Sequence, residues 1–593
     1  MRRTVLNLLL AGGFFALAAA VLLARRSPPE GYEFSIYAGT PTATWVAVAV
    51  AFSVAVGVAL AARGTYQGLG IGLGAGAVTA VVALPLVRNY RFQGRGDGLT
   101  HVGWTMGIVE ESMAPHELFY PGIHSIGSAL HLVGGVPIER ALMIAVVAVL
   151  LPFLVFVPLI VREVGESASA VGFAAVVSWF LLPINNVATH TGVHPNSNAL
   201  LFAPVVIFAI VAFLRRRGDL ETLPGVSPYS ALIVVLGVGM LAVHPQQFVN
   251  VVVLLGVISV IQFVARGRYA DHPIVEQPTA YAHTAVLGVL FAAWVASNER
   301  FRGAVSGLVY GLFTGEIGAG GQVEQRDTSL VEIGASLEEL FAKMFLVSAL
   351  VAFVVALFVL VAWLGKSRID LEAKAFVTYF ALALVPLGAM FGIYFAGTQT
   401  MAFRQLGFIF VVVTILAGIA LARGVGWLSR GITTPGANAV ASVALGACLV
   451  LSIMVVFGSP YLYVPSQQVT DQTMSGYESA FDHGEDRPYA GFGEGVDRYG
   501  HAIDGLESEQ MTNYEGTGLG EVEVDEFEDG RYGEAYGGDD YYFTVNEYDT
   551  TREFEVWRGL HHSEDALEGV DAHPGADKVV SNEEFRLYAV AGE

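Results

Sequence analysis

Residues 341–364 read FAKMFLVSALVAFVVALFVLVAWL, a run in which Lys343 is the only charged side chain. A helix of about 20 apolar residues spans the roughly 30 Å hydrocarbon core of a bilayer. Similar runs recur through residues 1–458, which predicts an all-α polytopic membrane domain. Thirteen spans are expected, at 4–24, 42–62, 67–87, 139–161, 167–184, 198–214, 229–243, 247–265, 280–297, 341–364, 374–395, 405–424 and 436–457.

Two of these spans depend on local detail. The apolar core of the first run exceeds the roughly 7–15 residues of a signal peptide, so we expect a retained helix. The stretch 229–265 is interrupted by Val243-His244-Pro245-Gln246-Gln247. Proline breaks the helical hydrogen-bond ladder, so we expect two short helices with a bend between them.

The composition changes sharply after residue 458. Of the whole chain, 54% is hydrophobic and 15% is charged, against about 25% charged in soluble proteins. Residues 459–593 hold 32 of the 54 acidic residues and only 7 of the 32 basic ones. This predicts an acidic domain outside the cytoplasm, α+β or mostly β, with strands near 541–558 and 578–590. Such acidity excludes a nucleic-acid partner, since no basic face can neutralise phosphates.

Arginine outnumbers lysine 28 to 4. Many acidic residues with few lysines resemble haloarchaeal proteins, in which concentrated salt screens self-repulsion. An ordinary acidic domain is the alternative. The single cysteine, Cys448, lies in an apolar run, so the acidic domain has no disulfide and no thiolate metal site.

The charges between the spans predict the orientation. Thirteen spans with a cytoplasmic N-terminus place the C-terminal domain outside the cell membrane. Cytoplasmic loops are enriched in basic residues. Every predicted inner turn is basic: Arg2/Arg3, Arg63, Arg162, Arg215–Arg217, Arg266/Arg268, Lys366/Arg368 and Arg423/Arg430.

Ionisable residues collect in the predicted outer loops at 88–139, 185–196 and 298–340. In the first loop, Asp97 lies between two glycines, and helical spacing over 99–109 puts Asp97 and His101 on one face. A desolvated carboxylate can act as a general base for a hydroxyl proton. The alternative is that Asp97 caps the helix. The third loop contains a glycine-rich turn and a predicted surface helix, Ser329–Met344.

Further polar residues are candidates for the same site. Glu110 and Glu111 point to different faces, so at most one of them is expected to be catalytic. His116 and His124 are more often hydrogen-bonded structural histidines than catalysts. The candidates for binding substrate are His101, Tyr120, His124 and His194.

A metal site is weakly indicated. Asp97, His101, Glu110, His190 and His194 offer ligand types, but H-E-x-x-H and a tight D-x-D are absent. The tail segment 525–530, DEFEDG, departs from the calcium-loop pattern at its third position. No cofactor is therefore assigned, and a divalent metal stays an open alternative.

Arg404 lies between the predicted eleventh and twelfth spans. A guanidinium at headgroup level suits bidentate binding of a lipid phosphate. Its alternative is snorkelling to the interface, which is common for arginine at helix ends.

These residues resemble the GT-C superfamily of membrane glycosyltransferases. The shared features are the many spans, an acidic residue in a large first outer loop, Tyr120-Pro-Gly-Ile-His124, Arg404-Gln-Leu-Gly-Phe408 and a terminal strand at 578–588. The resemblance covers most of the chain, although each motif is short. It implies a polyprenyl-phosphate donor, a catalytic Asp97 and a phosphate-binding Arg404. Asp97 stands alone where many members carry an acidic pair, which leaves the metal and the second carboxylate open.

The expected function is transfer of a sugar from a dolichyl- or polyprenyl-phosphate donor to an acceptor glycan, lipid or glycoprotein outside the membrane. Asp97 would take the acceptor proton, and the tail would bind the acceptor or shield the site. A transporter or lipid or glycan flippase is the main alternative, although the spans contain few interior charges and no internal repeat. A non-catalytic membrane anchor for the acidic domain is the third.

Overall fold

The computed structural model describes residues 3–592 except 217–226, 299–301, 304–305, 308–333, 335, 366–370, 398, 486, 494 and 507–519. Most of the described chain is helical. The helices up to residue 453 are α1 (Arg3–Arg25), α2 (Ile36–Gly39), α3 (Thr42–Ala61), α4 (Thr65–Val82), α5 (Leu84–Val87), α6 (Asp97–Val109), α7 (Gly122–Gly134), α8 (Ile138–Glu163), α9 (Ala168–Ser178), α10 (Pro195–Arg215), α11 (Pro228–Val243), α12 (Pro245–Arg268), α13 (Pro273–Glu276), α14 (Tyr281–Ser297), α15 (Leu337–Trp363), α16 (Leu371–Gly397), α17 (Gln399–Leu428) and α18 (Thr434–Ile453).

The predicted membrane domain is confirmed. Within the described residues, ten helices are long and apolar enough to cross a membrane. Three shorter apolar helices, α9, α11 and α14, accompany them. Each of the thirteen overlaps one predicted span. The bend before Pro245 separates α11 from α12, as expected from the interrupted stretch 229–265.

Three predicted spans have different ends. The span at 67–87 is one helix only to Val82, and after Ala83 a separate short helix, α5, covers Leu84–Val87. The span at 167–184 is helical only to Ser178, because the chain turns at Leu181, which has a φ of 51°. The span at 405–424 begins earlier, since α17 starts at Gln399. Near the start of this helix, the ring centroid of Phe403 lies 5.9 Å from that of Phe345 on α15. Arg404 therefore lies in a helix and not in the connection predicted for it.

The third predicted outer loop, 298–340, lies largely outside the described residues. Its glycine-rich turn falls in that part, and so do residues 329–333 and 335 of the surface helix predicted at Ser329–Met344. The described end of that segment, from Leu337, is the first turn of α15 and continues into a membrane helix.

The C-terminal domain combines helices with a mixed sheet, so of the two predicted classes it is α+β. The strands, in chain order, are β1 (Phe92–Gln93), β2 (Gln468–Val469), β3 (Tyr489–Gly491), β4 (Gly520–Glu521), β5 (Tyr541–Asn546), β6 (Ala576–Ser581) and β7 (Phe585–Val590). The helices are α19 (Asp471–His483), α20 (Val496–Asp504), α21 (Val524–Glu528), α22 (Glu547–Thr550) and α23 (Glu564–Ala572). The sheet order is β4-β3-β5-β7-β6, with β3 parallel to β4 and β5 and the other pairs antiparallel.

The predicted strand at 541–558 is wrong beyond Asn546. The Asn546 side chain accepts a hydrogen bond from the backbone N–H of Asp549 and starts α22, and a π-helical turn follows over 551–556. The predicted strand at 578–590 is two antiparallel strands, β6 and β7. The chain reverses between them, with the N–H of Asn582 donating to the carbonyl of Phe585.

The C-terminal domain docks on the segment 88–139. Strands β1 and β2 pair across the two parts, with Phe92 opposite Val469. Helix α6 packs on α20 at Gly103 and Gly107. A Cβ on Gly107 would come within 2.6 Å of the carbonyl oxygen of Leu506, so only glycine allows this approach.

Candidate functional site

A polar cavity of about 240 Å³ lies where α6, the start of α10, α17 and the C-terminal domain meet. The walls come from residues that are far apart in the chain. They are Asp97, Thr100, His101, Trp104, Tyr120, His194, Pro195, Asn196, His244, Arg404 and Arg498. The structure therefore brings together Asp97, His101, Tyr120, His194 and Arg404, which the sequence analysis singled out.

Asp97 is the first residue of α6. Gly96 before it has a φ of 69°, a conformation that L side chains rarely adopt. In the described residues, no helix N–H donates to the Asp97 carboxylate, so the capping alternative is not supported. The side chain is 65% exposed and lies 3.4 Å from Arg498, so the desolvation expected for it is also absent. Asp97 is instead an accessible anion at the N-terminus of a helix, where the helix dipole stabilises it.

Arg404 lies in the second turn of α17 and lines the cavity. Its guanidinium makes one weak hydrogen bond in the described part of the chain, from Nη1 to the sulfur of Met401 at 4.0 Å. Its Nε is buried and has no hydrogen-bond partner in the described part of the chain. Asp97 and Tyr120 are close enough to act on it electrostatically. A half-buried guanidinium facing a polar cavity is suited to an anionic ligand.

The histidines form a buried, neutral layer beside the cavity. Nδ1 of His101 lies 3.0 Å from Nε2 of His124, which does not itself line the cavity. Burial lowers the pKa of His101 to about 3, and it lowers that of His124 well below its usual value. His194 caps α10, with its ring accepting the N–H of Ser197. These rings are therefore uncharged at neutral pH and can orient a ligand without adding charge.

Three cavity residues that are not among the predicted site residues carry buried nitrogen atoms without partners in the part of the chain that the structure describes. Trp104 Nε1, Asn196 Nδ2 and His244 Nδ1 have no hydrogen-bond partner among the described residues. Buried polar atoms without partners are rare, and they mark places where a ligand or water binds. His244 and Asn196 stand in motifs visible in the sequence, at the bend before Pro245 and beside Pro195. Arg498 had no such signal, because it lies in the tail, far along the chain from the other cavity residues.

A second, larger cavity of about 680 Å³ adjoins the first, and Asp97 is the residue they share. Its walls include His190 and Asn186 from the segment 185–196, and Trp557 and His561 from the C-terminal domain. Apolar side chains of α15 and of the segment after α18, such as Met344 and Phe457, complete it. Asp97 therefore stands between a small cationic cavity and a large mixed one.

Glu110 and Glu111 lie away from both cavities. They follow α6 and are exposed, about 20 Å along the helix axis from Asp97, given a 1.5 Å rise per residue. The expectation that one of them joins Asp97 is not met by this geometry. Of the residues considered as metal ligands, Asp97, His101, His190 and His194 line the two cavities, whereas Glu110 does not. In the described residues, no three His, Cys, Asp or Glu side chains are placed to hold a metal ion.

Comparisons with known proteins place the chain in context. A family model described as a family of unknown function (DUF6541) matches residues 86–490, whereas no curated protein matches. Archaeal oligosaccharyltransferase AglB from Archaeoglobus fulgidus, solved with an inhibitory peptide and a dolichol-phosphate, is 11% identical, with a TM-score of 0.46 over 89% of this chain and 75% of that one. ArnT from Cupriavidus metallidurans, bound to undecaprenyl phosphate, is 11% identical, with a TM-score of 0.46 over 88% of this chain and 99% of that one. At 11% identity and TM-scores of 0.46, these two structures support no conclusion about the function of this chain, which is therefore inferred from its own residues.

Proposed function

The chain belongs to DUF6541, a family of unknown function, and we propose that this member is a membrane glycosyltransferase. It transfers a sugar from a polyprenyl- or dolichyl-phosphate donor to an acceptor glycan, lipid or protein on the outer face of the membrane. One observation carries the proposal. Asp97, an accessible carboxylate, and Arg404, a cation without a carboxylate partner in the described residues, line the same polar cavity.

The small cavity takes the donor phosphate. Arg404 supplies the charge, and the unpartnered N–H groups of Trp104 and Asn196 supply further hydrogen bonds, joined by His244 in the tautomer that carries its proton on Nδ1. A preorganised cation stabilises a transition state most when it lies beside the group on which negative charge develops. In this reaction that group is the leaving phosphate. The helix that carries Arg404 is apolar enough to cross the membrane, so the lipid chain can extend between helices below the cavity.

The larger cavity takes the acceptor. Its walls combine polar groups and aromatic rings from the C-terminal domain, which suits a bulky polar substrate. Asp97 belongs to both cavities, so it can reach the acceptor hydroxyl while the donor phosphate lies at Arg404. This arrangement assigns Asp97 the role of general base.

The reaction is a direct displacement. The acceptor oxygen forms a bond to the anomeric carbon as the bond from that carbon to the phosphate oxygen breaks. The hydroxyl proton passes to the Asp97 carboxylate, and the electron pair of the broken bond leaves with the polyprenyl phosphate. Because its product is a lipid phosphate, the reaction needs no nucleotide and no oxidant.

The orientation and the salt adaptation belong to the same proposal. The basic inner turns support a cytoplasmic N-terminus with the acidic domain outside. The excess of acidic residues over lysine supports function in concentrated salt, as in haloarchaeal proteins.

Membranes that contain the full chain test the proposed class. They are incubated with radiolabelled dolichyl-phosphate sugars and a cell-envelope extract as acceptor. Release of dolichyl phosphate with label entering an acid-stable product is expected. Uptake of free solute into sealed vesicles without such release would assign the chain to the transporters instead.

A further inference from the structure

The helix that carries Asp97 is held by a helix of the C-terminal domain. Gly103 and Gly107 of α6 form the contact face, and a side chain at Gly103 would meet the carbonyl oxygen of His501 on α20. Glycines four residues apart on one helix allow such close backbone approach. The two helices therefore dock with little freedom to slide.

Arg498 reaches from this docked helix to the start of α6. Its Nη1 donates to Thr100 Oγ1 at 2.8 Å, and its Nε lies 3.5 Å from Asp497. These two contacts fix the guanidinium plane. The remaining nitrogen, Nη2, lies 3.4 Å from Oδ1 of Asp97.

Thr100 extends the arrangement into the acidic domain. Its hydroxyl accepts from Arg498 and lies 3.1 Å from Nδ1 of His501, a fully buried ring on α20. Both contacts between the helices therefore converge within one turn of Asp97. A carboxylate that is 65% exposed would otherwise sample several rotamers, so an ion pair with a fixed partner restricts it.

We propose that Arg498 is a positioning residue for Asp97, so that the acidic domain completes the site and does not merely cover it. The inference rests on the proposed glycosyl transfer. Arg498 also lines the small cavity, but its side-chain contacts are with Thr100, Asp497 and Asp97, and it orients the Asp97 carboxylate toward the acceptor hydroxyl. Removing it misplaces the base while the donor site at Arg404 stays intact.

Kinetics of the full chain in membranes test this role. Arg498→Gln should lower kcat about 10- to 100-fold, the cost expected for a displacement on the order of 1 Å, with the donor KM unchanged. Arg498→Lys should recover part of the rate, because an ammonium can pair with Asp97 but cannot also hold Thr100 and Asp497 in the same plane. The double variant Asp97→Asn/Arg498→Gln should be no slower than Asp97→Asn alone, since the two residues act as one unit.

Arg531→Gln is the matched control, because Arg531 is an exposed, ion-paired arginine of the same domain. It should leave kcat and KM unchanged. A raised donor KM with unchanged kcat in Arg498→Gln would overturn the proposal, because it would mean that Arg498 binds the phosphate. Full activity of Arg498→Gln would overturn it as well.

Hydrogen exchange tests the contact without relying on activity. The amides of residues 98–101 should exchange faster in Arg498→Gln than in the wild type, and Arg531→Gln should match the wild type. If the wild type transfers no sugar, the proposed function fails, and this measurement still decides whether Arg498 holds the start of α6. Unchanged exchange at these amides would contradict the positioning role.

Discussion

Arg95 and Asp549 lie 454 positions apart, yet Nη2 of Arg95 is 3.0 Å from Oδ1 of Asp549. Both side chains are more than nine-tenths buried. Arg95 also donates to Asn546 and lies over the ring of Tyr548, 3.8 Å from its centroid. This ion pair connects the segment that contains Asp97 to the C-terminal domain. Arg95 itself is two residues before Asp97 in the chain.

Breaking that pair should destabilise the docked domain. Removing one partner of a buried ion pair leaves an uncompensated charge, so Arg95→Gln or Asp549→Asn should each cost about 3–5 kcal/mol. The loss in the free energy of unfolding is measured by urea unfolding of the detergent-solubilised protein. Susceptibility of the C-terminal domain to protease at each urea concentration is the readout. Arg487→Gln removes the surface pair with Glu485 and should cost at most about 1 kcal/mol. Equal losses in both cases would show that Arg95 is not buried against Asp549.

The glycine contact between α6 and α20 predicts a second, local effect. Gly107→Ala places a Cβ within 2.6 Å of a backbone oxygen, and backbone cannot move aside cheaply. We expect a loss of about 1–3 kcal/mol and faster proteolysis between the two parts. Gly72→Ala on α4 has open space around its Cβ and should change stability little. A Gly107→Ala protein as resistant to protease as Gly72→Ala would rule out the close approach.

Arg404 should govern donor binding. Arg404→Gln removes one of the two arginines that line the small cavity, the other being Arg498, and should lower kcat/KM for the lipid-phosphate sugar about 100-fold or more, since phosphate contacts strengthen in the transition state. Arg404→Lys keeps the charge but loses the bidentate geometry, so its kcat/KM should lie between those of the wild type and Arg404→Gln. Arg430→Gln alters an exposed arginine just beyond the C-terminal end of α17, at the opposite end of the helix from Arg404, and serves as the control. Wild-type kinetics in Arg404→Gln would remove the phosphate site from the small cavity.

The buried histidines predict sensitivity to acid. Burial lowers the pKa of His101 to about 3, with Arg498, His190 and His244 adding repulsion. Between about pH 3 and pH 6.5 the unfolded chain binds the proton that the folded chain excludes. The contribution of this neutral ring to the free energy of unfolding is therefore fully present above about pH 6.5. It is lost as the pH falls toward 3, by at most about 1.4 kcal/mol per pH unit.

Thermal unfolding from pH 7.5 to 4.5 measures the effect. His101→Gln should lower stability at neutral pH but flatten the pH dependence, whereas the exposed His116→Gln should leave both unchanged. An identical slope in wild type and His101→Gln would contradict the assignment of a buried, neutral His101.

The membrane helices could be predicted because each is a long apolar run, and thirteen of them overlap the helices observed. The site could be predicted in part for a local reason, since Asp97 and His101 lie one helical turn apart. Glu110 and Glu111 lie apart from Asp97 by the same geometry, because the helix over 99–109 places them at its far end. The sequence predicts a connection at Arg404 because the preceding residues 398–400 are polar. The helix nevertheless begins at Gln399 and includes Arg404.

The rest of the site depends on contacts between distant parts of the chain. Arg498 meets Thr100 across 398 positions, and the pairing of β1 with β2 brings those parts together. No spacing within the acidic tail distinguishes Arg498 from its other arginines. His244 interrupts an apolar stretch, but only the fold shows that its ring stacks on Tyr120, with 5.6 Å between the centroids.

The most direct measurement compares Asp97→Asn with Glu110→Gln in single-turnover transfer from a labelled dolichyl-phosphate sugar. Both changes remove one exposed carboxylate from the same loop, and only Asp97 touches the cavities. We predict that Asp97→Asn inserts and binds dolichyl phosphate normally but loses transfer by at least about 100-fold, while Glu110→Gln keeps the wild-type rate. Transfer at the wild-type rate by Asp97→Asn would contradict the account at its centre.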